Sequence, residues 1–295
     1  MIPTETGIYT DVTWDEYKSI DRMNASTIVH GCHSMRRLKR IIDSGGGKST
    51  KPQEFGVLYH SILLDSVYEF EDRYCIMPPF ENDPLNVTKD GEKPKSPTST
   101  GWYKERVKEF MKTTKKKVVP EKDYRFGMRM IDAIRSHHYA SKLVASGHRE
   151  VTLLGEIDGV LFKGRVDILN DSINDLKGCN SATIKTFGNW CARLHYPFKL
   201  SIYRELVRQT LGKLLPVKII AAETKDDFDV VVYPVEAPVL DEAFGQVRKV
   251  VSEYKRCLEA DFWPGIDKGE DMVDLYVPVW SMPDVDDVLD WEGVE

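Results

Sequence analysis

The sequence lacks the features of exported, membrane-spanning and zinc-ribbon proteins. No apolar run in its 295 residues approaches the ~20 residues that a membrane helix needs. Residues 1–6 contain neither the basic nor the apolar region of an export signal. The five cysteines form no Cys-x-x-Cys pair and are odd in number. We therefore expect reduced thiols in a cytoplasmic protein, with no zinc ribbon or clustered iron–sulfur site.

An excess of positive charge is also lacking. Because the net charge is −6, the overall composition does not predict nucleic-acid binding, which would need locally clustered basic residues. Two such clusters occur, one from Arg36 to Arg40 and one over residues 112–117. Each is typical either of a solvated helix end or of a surface that contacts phosphate. The 41% hydrophobic and 30% charged residues are typical of a globular protein with an ample core.

A complete phosphate-binding loop is missing as well. Residues 45–50, Gly-Gly-Gly-Lys-Ser-Thr, resemble the end of such a loop, but Ile42 stands where its first glycine belongs. No strand precedes the segment, so we interpret it as a flexible loop. A nucleotide-binding ATPase is therefore disfavoured.

Helical periodicity recurs along the chain. Asn24 is a candidate N-cap for a helix that ends in the Arg36–Arg40 cluster. The segment 78–101, rich in Pro, Asp, Lys, Ser and Thr, predicts a long mobile loop. Further helices are predicted over residues 54–67, 102–111, 124–146, 196–211 and 240–258.

Strand patterns occupy the middle of the chain. Residues 150–157 and 160–169 flank Asp158-Gly159, a sequence typical of a two-residue hairpin turn. A second turn over residues 170–172 leads into a strand over residues 173–177. Two later β-rich segments cover residues 217–223 and 229–235. No internal repeat is evident.

Two acids and a lysine are predicted to meet on the second hairpin. Asp175 and Lys177 are two residues apart and so share one face of a strand, with Asp167 beside Asp175 across the hairpin. Clustered carboxylates need neutralisation, and oxygen ligands of this type suit Mg²⁺ or Mn²⁺. The alternative is an ordinary surface Asp–Lys pair. With a metal site, Asp175→Ala is expected to keep the fold intact and to relieve repulsion in the metal-free protein.

These residues resemble a known signature. The string Lys163-Gly164-Arg165-Val166-Asp167, followed by Asp175-Leu176-Lys177, is similar to the PD-(D/E)xK nuclease motif, in particular its RecE (exonuclease VIII) branch. The segment 56–65 resembles the Gly-x-x-x-His-x-x-Leu-Leu helix of the RecE-like nucleases. The resemblance implies that His60 is a metal ligand together with Asp167, Asp175 and the Leu176 carbonyl. It also implies a catalytic set of Asp167, Asp175 and Lys177.

The resemblance also suggests residues that contact substrate. Glu150 stands where RecE-like proteins tend to carry an acid, and Arg165 either contacts phosphate or forms a structural salt bridge. The family pattern Gln-x-x-x-Tyr appears here as Lys199 and Tyr203, so the lysine could contact phosphate in place of the glutamine. A second departure follows Lys177, where Gly-Cys replaces the usual Thr-Thr. The segments 262–265 and 275–280 resemble the closing part of the family.

The implied fold is α/β (α+β), with a PD-(D/E)xK core in which helices flank a central mixed β-sheet. A single RecE-like domain over residues 1–295 is expected. It would comprise a helical part at about 1–148, catalytic sheet and helices at about 149–283, and an acidic tail at 284–295.

The implied activity is that of a Mg²⁺- or Mn²⁺-dependent DNA exonuclease acting 5′ to 3′ on linear duplex ends and producing single-stranded tails for recombination. Expected partners are DNA and a single-strand annealing recombinase, with no membrane and with a possible homo-oligomer. The alternatives are a related endonuclease or single-strand nuclease, or a catalytically silent nuclease fold that binds DNA or protein.

Overall fold

The structure is a computed structural model that describes residues 2–46, 50–65, 67–224 and 227–275. Part of the glycine-rich loop, the predicted closing segment after residue 275 and the predicted acidic tail lie outside these residues. The strands within the described residues, named in chain order, are β1 Gly7–Tyr9, β2 Met23–Asn24, β3 Tyr74–Met77, β4 Lys117–Pro120, β5 His148–Ile157, β6 Val160–Leu169, β7 Ile173–Cys179, β8 Val217–Glu223 and β9 Val230–Val235.

The helices are α1 Trp14–Ser19, α2 Ala25–Ile28, α3 Met35–Asp43, α4 Lys51–Leu64, α5 Val67–Arg73, α6 Gly101–Thr113, α7 Glu121–Ser136, α8 His138–Ala145, α9 Ile184–Arg193, α10 Tyr196–Leu211 and α11 Ala237–Ala260. Short 3₁₀ turns cover Val29–Cys32, Phe80–Asn82 and Pro97–Ser99. In the described part of the chain, no helix combines the length and hydropathy that crossing a bilayer requires.

The central sheet is mixed and seven-stranded, as the fold class predicts. Its order is β1-β5-β6-β7-β8-β9, with β2 added beside β6. The pairs β7–β8 and β2–β6 are parallel, whereas the others are antiparallel. The strands β3 and β4 form a separate parallel pair. The strands before β5 and this second sheet are absent from the sequence prediction.

Helices cover both faces of the sheet. Neighbouring residues of β8 point to opposite faces, so Ile219 joins one hydrophobic cluster and Ile220 the other. The Ile219 cluster includes Leu206 of α10 and Val247 of α11, whereas Ile220 shares its cluster with residues of α4 and α7. Burial on both faces explains why these strands are almost continuously apolar.

Two predicted helices are interrupted. The helix after the Asn24 N-cap stops at Ile28 and passes into a 3₁₀ turn. A new helix, α3, then starts where the Ser34 hydroxyl accepts the Arg37 amide at 3.2 Å. The helix predicted over 124–146 divides at His137. The imidazole Nδ1 of His137 accepts the amides of Tyr139 and Ala140 and so caps α8. The prediction of two unbroken helices was therefore wrong.

The β5–β6 hairpin has the predicted turn. Asp158 and Gly159 both have positive φ angles, of 48° and 85°, as a type I′ turn requires. The ladder between β6 and β7 is much shorter, consisting of Ile168 with Asn174 and Leu169 with Ile173. Farther along β6, strand β2 pairs with Phe162 and Lys163. The strands β6 and β7 therefore separate where the acids lie.

Two glycines let α10 approach the sheet closely. A Cβ atom on Gly164 of β6 would lie 2.8 Å from the Tyr203 ring, and one on Gly155 of β5 would lie 2.4 Å from Gln209. Such distances are too short for any side chain at these positions. Gly164 therefore lets Tyr203 lie directly against β6, the strand that carries Asp167.

Candidate active site

His60, Glu150 and Asp167 form a compact cluster of potential metal ligands. Each offers one ligand atom, and the three atoms lie within 4.8 Å of one another. His60 comes from α4, and its Nδ1 lies 3.4 Å from Asp167 Oδ1. Glu150 and Asp167 face each other across β5 and β6. One imidazole and two carboxylates form a suitable donor set for Mg²⁺ or Mn²⁺.

The backbone at Glu150 is strained. Its φ is 50°, in the left-handed region that residues other than glycine, asparagine and aspartate seldom adopt. The β5–β6 ladder pairs Arg149 with Ile168 and Val151 with Val166, and is interrupted only at Glu150 and Asp167. Strain of this kind concentrates at functional sites. The irregularity therefore coincides with the two carboxylates of the cluster.

The charges of the cluster are mutually dependent. Burial opposes a charge on His60, but the Asp167 carboxylate outweighs it, so the pKa of His60 lies above its ordinary value. Burial also works against ionisation of Asp167. The His60 ring and the Leu176 amide, which donates at 2.6 Å, outweigh it and lower the pKa of Asp167. Burial and the nearby Asp167 carboxylate raise the pKa of Glu150 despite the opposing charge of Arg165.

Asp175 and Lys177 form an ion pair on β7 next to this cluster. Burial would lower the pKa of Lys177, but the Asp175 and Asp167 carboxylates outweigh it and hold that pKa above its ordinary value. Lys177 Nζ also donates to the Leu176 carbonyl at 3.1 Å, an oxygen that lies 3.1 Å from His60 Nε2. The Leu176 carbonyl thus connects the ion pair to the His60 cluster.

Arg165 forms the salt bridge that was one of its two predicted roles. Its Nε donates to Glu150 Oε2 at 2.6 Å, and its Nη1 donates to the Val12 carbonyl at 3.0 Å. Its guanidinium also lies 5.5 Å from the Trp14 ring and 5.7 Å from the Tyr17 ring. Arg165 therefore positions Glu150 and joins the N-terminal segment to the site.

Lys163 holds the end of α1 against the sheet. Its ammonium group donates to the carbonyls of Tyr17, Lys18 and Ile20 at 3.0, 3.2 and 2.6 Å. A lysine at a helix C-terminus satisfies carbonyls that have no partner within the helix. Because Lys163 lies on β6, α1 becomes a wall of the site.

The two predicted residues of α10 lie on different sides of the site. Lys199 Nζ is 5.8 Å from the Tyr196 ring, and Lys177 Nζ is 5.3 Å from the same ring. Burial and the nearby Lys177 lower the pKa of Lys199. Tyr203 lies over Gly164 and lines the cavity that contains His60.

An open cavity of about 540 Å³ gives access to the ligand cluster. Its walls include residues of α1, α4, α10 and the β5–β6 hairpin, among them Trp14, Tyr17, His60, Glu150, Lys163, Arg165, Asp167 and Tyr203. The sequence prediction omits Trp14 and Tyr17 from the site. Their spacing of three residues indicates only a helix face, and their position at the cavity depends on Lys163.

The fold is of the PD-(D/E)xK class, as the sequence predicts. The chain belongs to the family described as "PDDEXK-like domain of unknown function (DUF3799)", which matches residues 17–272. No curated protein matches the chain.

A solved structure has the same fold. It is the crystal structure of a protein named "Putative exonuclease" from Eubacterium rectale, with 18% sequence identity and a TM-score of 0.61. The match covers 91% of this chain and 96% of that chain. At this identity the likeness concerns the fold alone.

Proposed function

We propose that this protein is a metal-dependent DNA exonuclease that degrades linear duplex 5′ to 3′ and leaves single-stranded tails for recombination. The observation that supports it best is the convergence of His60, Glu150 and Asp167 beside Lys177 on a PD-(D/E)xK fold. On this proposal a single-strand annealing recombinase would take up the tails.

His60, Glu150 and Asp167 would hold Mg²⁺ or Mn²⁺, with the Leu176 carbonyl and Asp175 as further ligands. When bound, the ion would lower the pKa of a coordinated water and would place positive charge beside the scissile phosphate. We assign Glu150 to the ligand set, whereas the sequence suggested substrate contact, because its carboxylate lies within the ligand cluster.

Lys177 would orient the attacking water and stabilise charge on the phosphate. Its raised pKa keeps the ammonium group protonated over the physiological range. Lys199, near the same Tyr196 ring, would contact a phosphate next to the scissile one. Arg165 donates a hydrogen bond to Glu150, so its role would be to position that ligand.

The test is digestion of linear duplex carrying a label at either the 5′ or the 3′ end. With Mg²⁺ or Mn²⁺, we expect early release of the 5′ label as short products and no release in EDTA. Covalently closed circular DNA is the matched substrate control and should remain intact. Cutting of circles at the linear rate would make the protein an endonuclease. Binding of DNA with no cleavage under any metal would make it a silent binding module.

Metal binding and turnover can be separated with two variants. Asp167→Asn should lose Mn²⁺ binding in a calorimetric titration, because it removes a ligand charge. Lys177→Ala should keep Mn²⁺ binding and lose cleavage, because lysine acts on water and phosphate. Equal loss of Mn²⁺ binding in both variants would mean that Lys177 only maintains the geometry of the site.

A further inference from the structure

A basic arm leaves the nuclease core between two neighbouring strands. The arm, residues 78–116, begins after β3 and returns at β4, which pairs with β3 in parallel. Residues 78–116 carry nine basic and six acidic side chains, a net charge of +3 in a chain whose net charge is −6. The arm is thus positively charged, whereas the rest of the chain is acidic.

The arm has a defined internal structure. The buried Asn86 donates to the Pro97 carbonyl at 3.1 Å and accepts the Thr100 hydroxyl at 2.7 Å. Thr100 in turn accepts the Tyr103 amide at 3.1 Å and caps α6. These bonds fix the start of α6 within a segment for which the sequence predicts a mobile loop.

A row of three lysines lines one exposed face of α6. Lys104, Lys108 and Lys112 are four residues apart, so they follow one another along the same face. Like charges at this spacing destabilise a helix by about 0.2–0.5 kcal/mol per pair.

Within the described part of the chain, no carboxylate forms an ion pair with any member of the lysine row. Elsewhere basic residues pair with acids about one turn away, as Lys39 does with Asp43 and Arg125 with Glu121. On α6 itself, Arg106 pairs with Glu109 in this way. The row is instead extended by exposed lysines at 115–117. Lys116 donates to the Glu71 carbonyl at 2.6 Å and anchors this extension to the core.

We propose that the lysine row binds the phosphate backbone of duplex DNA and holds the substrate of the nuclease; this inference rests on the proposed function. The three lysines span about 12 Å along α6, from a rise of about 1.5 Å per residue. That span corresponds to roughly three to four phosphates on one strand. An exposed row of unpaired ammonium groups is complementary to such a polyanion.

The experiment measures duplex affinity of the full chain in EDTA between 50 and 200 mM salt. The row variant is Lys104→Gln/Lys108→Gln/Lys112→Gln. The matched control, Lys213→Gln/Lys249→Gln/Lys255→Gln, removes the same charge from exposed positions elsewhere. Log affinity falls linearly as log salt rises, and we expect this slope to be shallower by about 2.7 in the row variant than in wild type. Wild-type affinity should then drop about 40-fold more than that of the row variant over this range.

Two further variants separate charge from folding. The Lys104→Arg/Lys108→Arg/Lys112→Arg variant should keep the wild-type slope. The single Lys108→Gln variant should have a slope that is shallower by about 0.9. A row variant with the wild-type slope, or a control with an equal loss, would overturn the proposal while leaving the nuclease function standing. A wild-type chain that binds no duplex at any salt concentration would overturn both.

Discussion

Replacing Asp175 by Ala removes the carboxylate that pairs with Lys177. The Asp175 and Lys177 side chains are only 12% and 25% exposed, so the ammonium group would remain largely buried without its counter-ion. Breaking a buried pair in this way costs about 3–5 kcal/mol of folding free energy. Lys177 keeps the Leu176 carbonyl at 3.1 Å and the Tyr196 ring at 5.3 Å. We therefore expect the lower end of the range, about 3 kcal/mol.

This expectation reverses the one drawn from the sequence. Repulsion between Asp167 and Asp175 predicts an intact fold and relief of strain in the metal-free Asp175→Ala variant. In the structure, Asp167 accepts the Leu176 amide and faces His60, and Asp175 is the partner of Lys177. The lost attraction between Asp175 and Lys177 therefore outweighs the relieved repulsion.

The assay is equilibrium urea denaturation in EDTA at fixed pH. It compares wild type with Asp175→Ala, Lys177→Met and the double variant. The double variant should recover most of the loss, because both charges are gone and methionine fills much of the lysine volume. A single Asp175→Ala variant as stable as wild type would refute the reasoning.

Two other predictions concern the packing and the charges of α10. Gly164→Ala should destabilise the protein by about 1–3 kcal/mol, because the new Cβ would lie 2.8 Å from the Tyr203 ring. Gly188→Ala, at an open helical position, should be neutral or stabilising; equal melting temperatures for the two variants would contradict this. Burial would raise the pKa of Glu205, but its bonds to Arg208 outweigh it and lower that pKa. Glu205 therefore contributes stability above about pH 4.3 that is lost as the pH falls through its folded pKa. The stability deficit of Glu205→Gln should shrink between pH 7 and pH 3.5 in urea denaturation, and a constant deficit would contradict the linkage.

The sequence by itself determined the class of fold and much of the local structure. The Asp158-Gly159 turn specifies the β5–β6 hairpin, because both positions need positive φ angles. That turn also implies the register. Counting seven residues back from Ile157 and forward from Val160 brings Glu150 opposite Asp167. The place of Glu150 beside Asp167 was therefore readable from the turn, although the sequence prediction assigned it to substrate contact.

Only the tertiary structure decided how the distant parts of the site meet. His60 reaches Asp167 because α4 packs on the sheet, and their separation of 107 positions leaves no local pattern that encodes the contact. The strands β6 and β7 separate after two residue pairs, and β7 continues beside β8 in parallel. Lys163 brings α1 to the cavity through backbone carbonyls, which carry no signature in the sequence. Long-range packing and backbone hydrogen bonds, which depend on the whole fold, therefore complete a site that local patterns only began to define.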